Sequence, residues 1–313
     1  MTAQPQIHPV IAEILATLPH DDHAAAPDLG AWRGGEESRV PAPGDRTPQL
    51  HDVRDAVAHT AGGDVPVRIY TPVEAESYGL LVYFHGGAFF SGSLDTHDGA
   101  ARALAQESGL RVVSVGYRRV PEDPYPAGLE DCYHVVHWAA ENGEELGWDG
   151  GTLAVAGDSS GGTFVAAVTA MAHDAGFDRI THQVLMYPSV DLDFDEDRYP
   201  SLTENAVGYG LETAGLKPHN SYYLDSGADP ADPLVSPIRR EDLSGLPKAL
   251  VITAQFDPLR DEGEAYAQRL RDAGVDVTVS RYEQANHGFM VNFAWIPDLY
   301  QAFVEVGRFL QDD

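Results

Sequence analysis

The chain is poor in cysteine, in lysine and in long apolar runs. Cys132 is its one cysteine, so no internal disulfide can form and no metal cluster is expected; a buried, inert thiol is the expectation. No stretch approaches the ~18 uninterrupted apolar residues that a membrane span needs. The N-terminal MTAQPQIHPVIAEILATLPHDD has neither a basic leader nor a small-residue cleavage site after an apolar run. No secretory signal is read there, and a cytoplasmic location is expected. Lysine occurs only at Lys217 and Lys248, and 20 basic against 49 acidic residues leave a formal charge of -29. That balance argues against a nucleic-acid groove or an anionic membrane as partner, since both want a basic face. The acid is spread along the chain, which fits either a salt-adapted carboxylate surface or a biased genome.

What is present is an alternation. The 313 residues can bury a sizeable core, as one large α/β domain or two ordinary ones. Strands are predicted at 52–59, 65–70, 80–85, 112–117, 152–156, 183–187, 249–254 and 277–282. Helices are predicted at 97–107, 128–141, 163–173, 259–272 and 297–310, each with apolar residues three and four apart, as in Phe303, Val306 and Leu310. Strands that read as continuous apolar runs, such as LLVYF and ALVIT, need helices over both faces of their sheet. The reading is an α/β fold with a mostly parallel sheet. The first two strands are separated by GGD without a crossover helix, so they are expected to pair antiparallel at one edge.

Two segments interrupt the alternation. Residues 1–45 carry one amphipathic helix (Val10, Ile11, Ile14, Leu15, Leu18, closed by Pro19) and then a long loop rich in Pro and Gly. The other, 191–246, holds acidic clusters, tyrosines and a short helical pattern around 212–224. A structureless loop of that length is unusual inside a compact domain, so both are expected to form a lid over the sheet. The core is then 46–190 and 247–313.

The chemistry concentrates at LAVAGDSSGG. A strand must reverse into a helix there within a few residues, and Gly157 and Gly161 let backbones approach where a Cβ would collide. The G-x-S-x-G register selects Ser159, because Ser160 would require glycine at Asp158. A serine on such a turn projects above the carboxyl end of the sheet, at the N-terminus of the next helix, where developing negative charge is stabilised.

A serine is a poor nucleophile without a base and a group that orients the base. His287 lies in QANHGF just past the strand 277–282, at the same end of the sheet. Asp257 follows the strand 249–254 in TAQFDPLRDEG, with Asp261 nearby as an ordinary helix-start carboxylate. Each of Ser159, Asp257 and His287 therefore falls just beyond a strand end. The strand LLVYF runs into HGGAFFSGS, where Gly86 and Gly87 would leave backbone N–H groups uncovered, to act with the N–H of Ser160 on an oxyanion. His85 is read as a scaffold that pins this loop.

These motifs together (HGGAF, YRRVPEDPYPAGLEDC, GDSSGG, DPLRDEG and NHGF, in this order over nearly the whole chain) resemble the hormone-sensitive-lipase-like branch of the α/β-hydrolases, in particular its bacterial carboxylesterases. The resemblance implies an α/β-hydrolase fold with an eight-stranded sheet and a helical cap. It implies Ser159 as nucleophile, His287 as base, Asp257 as orienting acid, and Gly86, Gly87 and Ser160 as oxyanion hole. Two departures stand out. Ala88 replaces the third glycine of the family's HGGG, so a positive φ there would strain the loop; altered substrate fit is expected. Ser160 often is alanine in the family, but its backbone N–H is unaffected.

The roles imply a serine carboxylesterase acting on short- to medium-chain acyl esters through an acyl-enzyme, without metal or cofactor. A histidine base must be neutral, so activity is expected to rise with pH through the usual histidine range, around 6 to 7. Trp32, Ala88, Tyr199, Leu202, Tyr209, Leu211 and Tyr222 are candidates to line the substrate pocket, with ordinary cap core favoured for most of the aromatic and apolar ones. A formamidase-type amidase would keep the same triad. A small-molecule receptor of the gibberellin kind would have lost the histidine. The last strand, at an exposed edge, offers a route to a homodimer.

Overall fold

The computed structural model describes residues 6–17, 26–38 and 47–312. Eight strands form one sheet: β1 (Asp52–Thr60), β2 (Gly63–Thr71), β3 (Tyr78–Phe84), β4 (Arg111–Val115), β5 (Trp148–Asp158), β6 (His182–Met186), β7 (Lys248–Phe256) and β8 (Val277–Asn286). Their order is β1-β2-β4-β3-β5-β6-β7-β8. β1 and β2 form the expected antiparallel edge hairpin, β2 joins β4 antiparallel, and every later pairing is parallel. β8 ends the sheet on the other side.

Helices cover both faces. The long ones are α3 (Asp98–Ser108), α4 (Ala127–Glu141), α5 (Ser160–Asp174), α8 (Arg260–Asp272) and α10 (Pro297–Gln311). Successive side chains of a strand point to opposite faces, and the packing follows that alternation. Leu80, Val82 and Phe84 of β3, with Leu153 and Val155 of β5, join α4 and α5 in one core. Leu81 and Tyr83, with Ala154 and Ala156, join α3 and α10 in the other. All seven residues of β3 are buried, the reason it reads as an unbroken apolar run.

The other α-helices are α1 (Pro9–Leu15), α2 (Leu29–Ser38), α6 (Ser201–Glu204), α7 (Thr213–Leu224) and α9 (Phe289–Asn292). α2 corrects the long loop expected after the first helix. Gly34 and Gly35 weaken it as an isolated helix, but Asp28 Oδ1 accepts the Ala31 N–H at 2.8 Å and Arg33 ties it to the core, so tertiary contact overrides propensity. Leu18 and Pro19, expected to close the first helix, lie outside the described residues. α5 begins at Ser160, three residues before the predicted start, because the elbow turns directly into it. Among the described residues no helix is long and apolar enough to cross a membrane.

Parallel strands bring their carboxyl ends to one rim, where open α/β sheets place their ligands. His85 is the first residue past β3, Ser159 past β5, Tyr187 past β6, Asp257 past β7 and His287 past β8.

Candidate active site

The turn from β5 to α5 is tight enough to put its nucleophile candidate in strained backbone. Ser159 has φ 53° and ψ -120°, a region that costs an L-residue on the order of 1–3 kcal/mol. Its surroundings hold it there: Ser159 N–H donates to the Met186 carbonyl at 2.9 Å, and its own carbonyl accepts from Gly162 and Ser189. The flanking glycines are required by approach. A Cβ on Gly157 would stand 2.3 Å from the Gly161 carbonyl oxygen, and one on Gly161 would stand 2.1 Å from that of Phe84.

The three predicted side chains meet in one line. Ser159 Oγ lies 2.9 Å from His287 Nε2, and His287 Nδ1 lies 2.7 Å from Asp257 Oδ2. A carboxylate only accepts, so Nδ1 carries the imidazole proton and Nε2 is left as the acceptor for the serine proton. Asp257 is fully buried, with its Oδ1 taken by the Leu259 N–H at 2.8 Å and its carbonyl by Asn205 Nδ2 at 3.0 Å. The carboxylate is thereby fixed in place. Tyr187, which sequence reasoning missed, packs its ring 5.2 Å from that of His287 in an edge contact, from a backbone at φ 37°. No sequence signal marks it beyond its place one residue past a strand.

One of the three expected oxyanion donors already has a hydrogen-bond partner. Gly86 N–H donates to Asp158 Oδ1 at 3.0 Å and is buried, so it has no bond left for a substrate oxygen. Among the described residues, the N–H groups of Gly87, Ala88 and Ser160 make no hydrogen bond, and Gly87 and Ala88 are half-buried at the rim. Gly87 turns at φ 120°, followed by Ala88 at 47° and Phe89 at 66°. The positive φ that would strain Ala88 is therefore present, at about 1–2 kcal/mol for each non-glycine residue.

Asp158, used in the sequence only to fix the register, is the anchor of this loop. It is buried, accepts the Tyr83 hydroxyl at 2.6 Å and stands 3.5 Å from His97 Nε2. Burial acts to raise its pKa, but His97 and the Tyr83 hydroxyl outweigh it and hold the carboxyl below its usual range. One buried carboxylate thus links the residue before Ser159 to the loop opposite.

His85 is the scaffold expected. Its ring stacks on Tyr117 at 4.2 Å, Nδ1 lies 2.8 Å from the Gly86 carbonyl, and Tyr117 donates to the His85 carbonyl at 2.7 Å. Burial first, then the neighbouring His97, push its pKa down from 6.5 to about 3. Between those values the unfolded chain holds a proton on this residue that the folded chain lacks. Stability is then expected to fall as pH drops from about 6.5 toward 3, with His85 contributing up to ~1.4 kcal/mol per unit. Urea unfolding across that window should give a shallower pH slope for His85→Asn than for the wild type; equal slopes would contradict this assignment.

The pocket candidates divide. Trp32 sits 6.0 Å from Phe90 and 4.8 Å from His219, and Tyr222 sits 5.5 Å from Phe90. Both therefore flank the oxyanion loop. The Tyr209 ring lies tilted 4.8 Å from that of Phe256 and its carbonyl accepts from Asn286 Nδ2, beside Asp257 and His287. Tyr199 is buried with its hydroxyl on Asp191 at 2.9 Å, and Leu202 is fully buried; they belong to the packed interior. Leu211 is half-buried against the same core.

An eight-stranded, mostly parallel sheet with a nucleophile elbow at the end of a central strand defines the class. The chain belongs to the α/β-hydrolase family, in its hormone-sensitive-lipase-like branch: the family model described as an alpha/beta hydrolase fold matches residues 81–291. Among individual proteins, it is 39% identical over 299 residues to carboxylesterase NlhH of Mycobacterium tuberculosis, covering 94% of this chain and 92% of that one. It is 38% identical over 244 residues to an arylesterase of Saccharolobus solfataricus, covering 76% and 77% of the two chains. The hyperthermophilic esterase of Pyrobaculum calidifontis superposes with a TM-score of 0.88 at 36% identity, over 98% of each chain.

Proposed function

We propose that this protein is a serine carboxylesterase that hydrolyses short- to medium-chain acyl esters. The observation that carries the reading is the hydrogen-bonded line from Ser159 through His287 to Asp257, at 2.9 and 2.7 Å, on the rim of the sheet. The family membership and the esterases named among its relatives support the same reaction.

The steps follow from the geometry. Ser159 Oγ attacks the ester carbonyl carbon while His287 Nε2 takes its proton. The carbonyl oxygen becomes an oxyanion, held by the N–H groups of Gly87, Ala88 and Ser160. Collapse breaks the bond to the alcohol, which leaves with the proton from His287. Water then attacks the acyl-serine with His287 again as base, releasing the acid and restoring Ser159. Asp257 holds the tautomer and stabilises the imidazolium at each passage.

Residues 1–45 and 191–246 are assigned to a cap over this rim. Two contacts between the segments support that assignment. Tyr222, in α7, donates to the Pro27 carbonyl at 2.9 Å, and Trp32, in α2, packs on His219 of α7. The two segments thus touch each other as well as the oxyanion loop. A homodimer through the outer edge of β8, where His8 N–H already takes the Gln284 carbonyl at 2.9 Å, fits the same architecture, and sedimentation velocity tests it.

A capped site favours short acyl chains. With p-nitrophenyl esters from acetate to palmitate, kcat/KM is expected to peak at short or medium length and to fall by about tenfold or more toward palmitate. A long-chain ester or an emulsified triglyceride as best substrate would overturn the capped-pocket part of this proposal.

A further inference from the structure

The helix α2 grips the far side of the oxyanion loop with two charged side chains one turn apart. Arg33 Nε donates to the Phe90 carbonyl at 2.7 Å and Nη2 to the Val120 carbonyl at 3.1 Å, while its two terminal nitrogens meet Glu122 at 2.6 and 2.9 Å. Glu36 accepts the Gly92 N–H at 3.1 Å and lies 3.1 Å from Ser91 Oγ. Residues three apart share one face of a helix. Trp32 donates from Nε1 to the same Glu36 carboxylate at 3.1 Å, which fixes its rotamer.

The contact leads directly to an oxyanion donor. Ser91 Oγ is also 3.0 Å from the Gly87 carbonyl, which accepts in addition the Phe90 N–H at 3.1 Å and the Ser91 N–H at 2.9 Å. That carbonyl belongs to the peptide whose N–H is Ala88's. A trans peptide is planar with its C=O and N–H opposed, so fixing the Gly87 oxygen on the side of Ser91 aims the Ala88 N–H the other way. The loop needs such holding, because Ala88 and Phe89 both lie at positive φ. Strained backbone persists only where its surroundings over-determine it.

We propose that Arg33 and Glu36 are positioning residues for the oxyanion hole: docked α2 sets, through Phe90, Ser91 and Gly92, the peptide plane that presents the Ala88 N–H. This inference rests on the esterase reading of the same site. α2 then does more than cover substrate, since its docking tunes stabilisation of the transition state. Neither side chain touches the reacting atoms, so their removal should lower kcat and leave KM nearly unchanged.

The test uses the full chain with p-nitrophenyl butyrate as substrate and a trifluoromethyl ketone as the probe whose serine adduct places an oxyanion in the hole. Glu36→Gln and Arg33→Met are expected each to lower kcat about tenfold, with a parallel loss of affinity for the ketone and KM within about twofold. Ser91→Ala removes the relay while leaving Arg33 in place, and should show the same paired loss if the charged variants fail to fold. Glu37→Gln, one residue along on the exposed side of α2, should match the wild type. Unchanged kcat and ketone affinity in folded variants, or a rise in KM alone, would overturn the proposal. Activity persisting in Ser159→Ala would instead overturn the reading of the site beneath it, whatever the α2 variants do.

Discussion

Ser159→Ala is expected to reduce kcat for p-nitrophenyl butyrate by roughly 10⁴- to 10⁶-fold while leaving the far-ultraviolet circular dichroism and the thermal transition close to wild type. The size follows from the role. Without Oγ no acyl-enzyme can form, and what remains is the background from the oxyanion donors and from binding. The fold is expected to survive because Ser159 holds the elbow through its backbone, with its N–H on Met186 and its carbonyl on Gly162 and Ser189. The side chain adds only the bond to His287. Alanine at φ 53° has the same backbone strain as serine, so stability should change by a few tenths of a kcal/mol. A folded variant that retained a tenth of the activity would exclude Ser159 as nucleophile.

Gly161→Ala should do the reverse, damaging the structure first. The new methyl would meet two backbone oxygens, at 2.1 Å for Phe84 and 2.8 Å for His85. Backbone at the end of a central, fully buried strand cannot step aside as a flexible side chain can. Relief requires α5 to move off the sheet, which would widen the elbow and separate Ser159 from the oxyanion loop. A loss of about 3 kcal/mol or more is expected, with a Tm lower by several degrees. Activity should fall with it even below the transition. Differential scanning calorimetry and the esterase assay on the same sample check both halves. A variant as stable and active as the wild type would mean that the elbow is looser than its geometry implies.

Much of this site was legible in the sequence because the fold writes it at fixed places. Each predicted triad member is the first residue past a parallel strand; β5 and β7 announce themselves as apolar runs because helices bury them on both sides, while β8, at the sheet edge, reads as an alternation. Glycine spacing around Ser159 added the elbow. What was not legible depends on contacts between segments far apart in the chain. HGGA offers consecutive N–H groups, and nothing local says which of them faces substrate. The choice is made by Asp158, 72 residues from Gly86, whose carboxylate takes the Gly86 N–H. In the proposed mechanism the role passes to Ala88, the residue that looked like a departure. α2 was hidden for a similar reason: its glycines read as loop, and its helix is held by Arg33 reaching Phe90 and Val120. Tyr187 carries no motif at all, since its place beside His287 follows from the packing of β6 against β7.

The most direct measurement is capture of the acyl-enzyme. Rapid acid quenching during turnover of p-nitrophenyl butyrate, followed by peptide mass spectrometry, should find one butyryl group on the peptide containing Ser159, with a matching burst of p-nitrophenol in the pre-steady state. The same experiment on His287→Ala should show the adduct forming at least about a thousandfold more slowly. A butyryl group on any other residue, or steady turnover with no serine adduct when deacylation is slowed, would contradict Ser159 as the nucleophile and with it the account of this site.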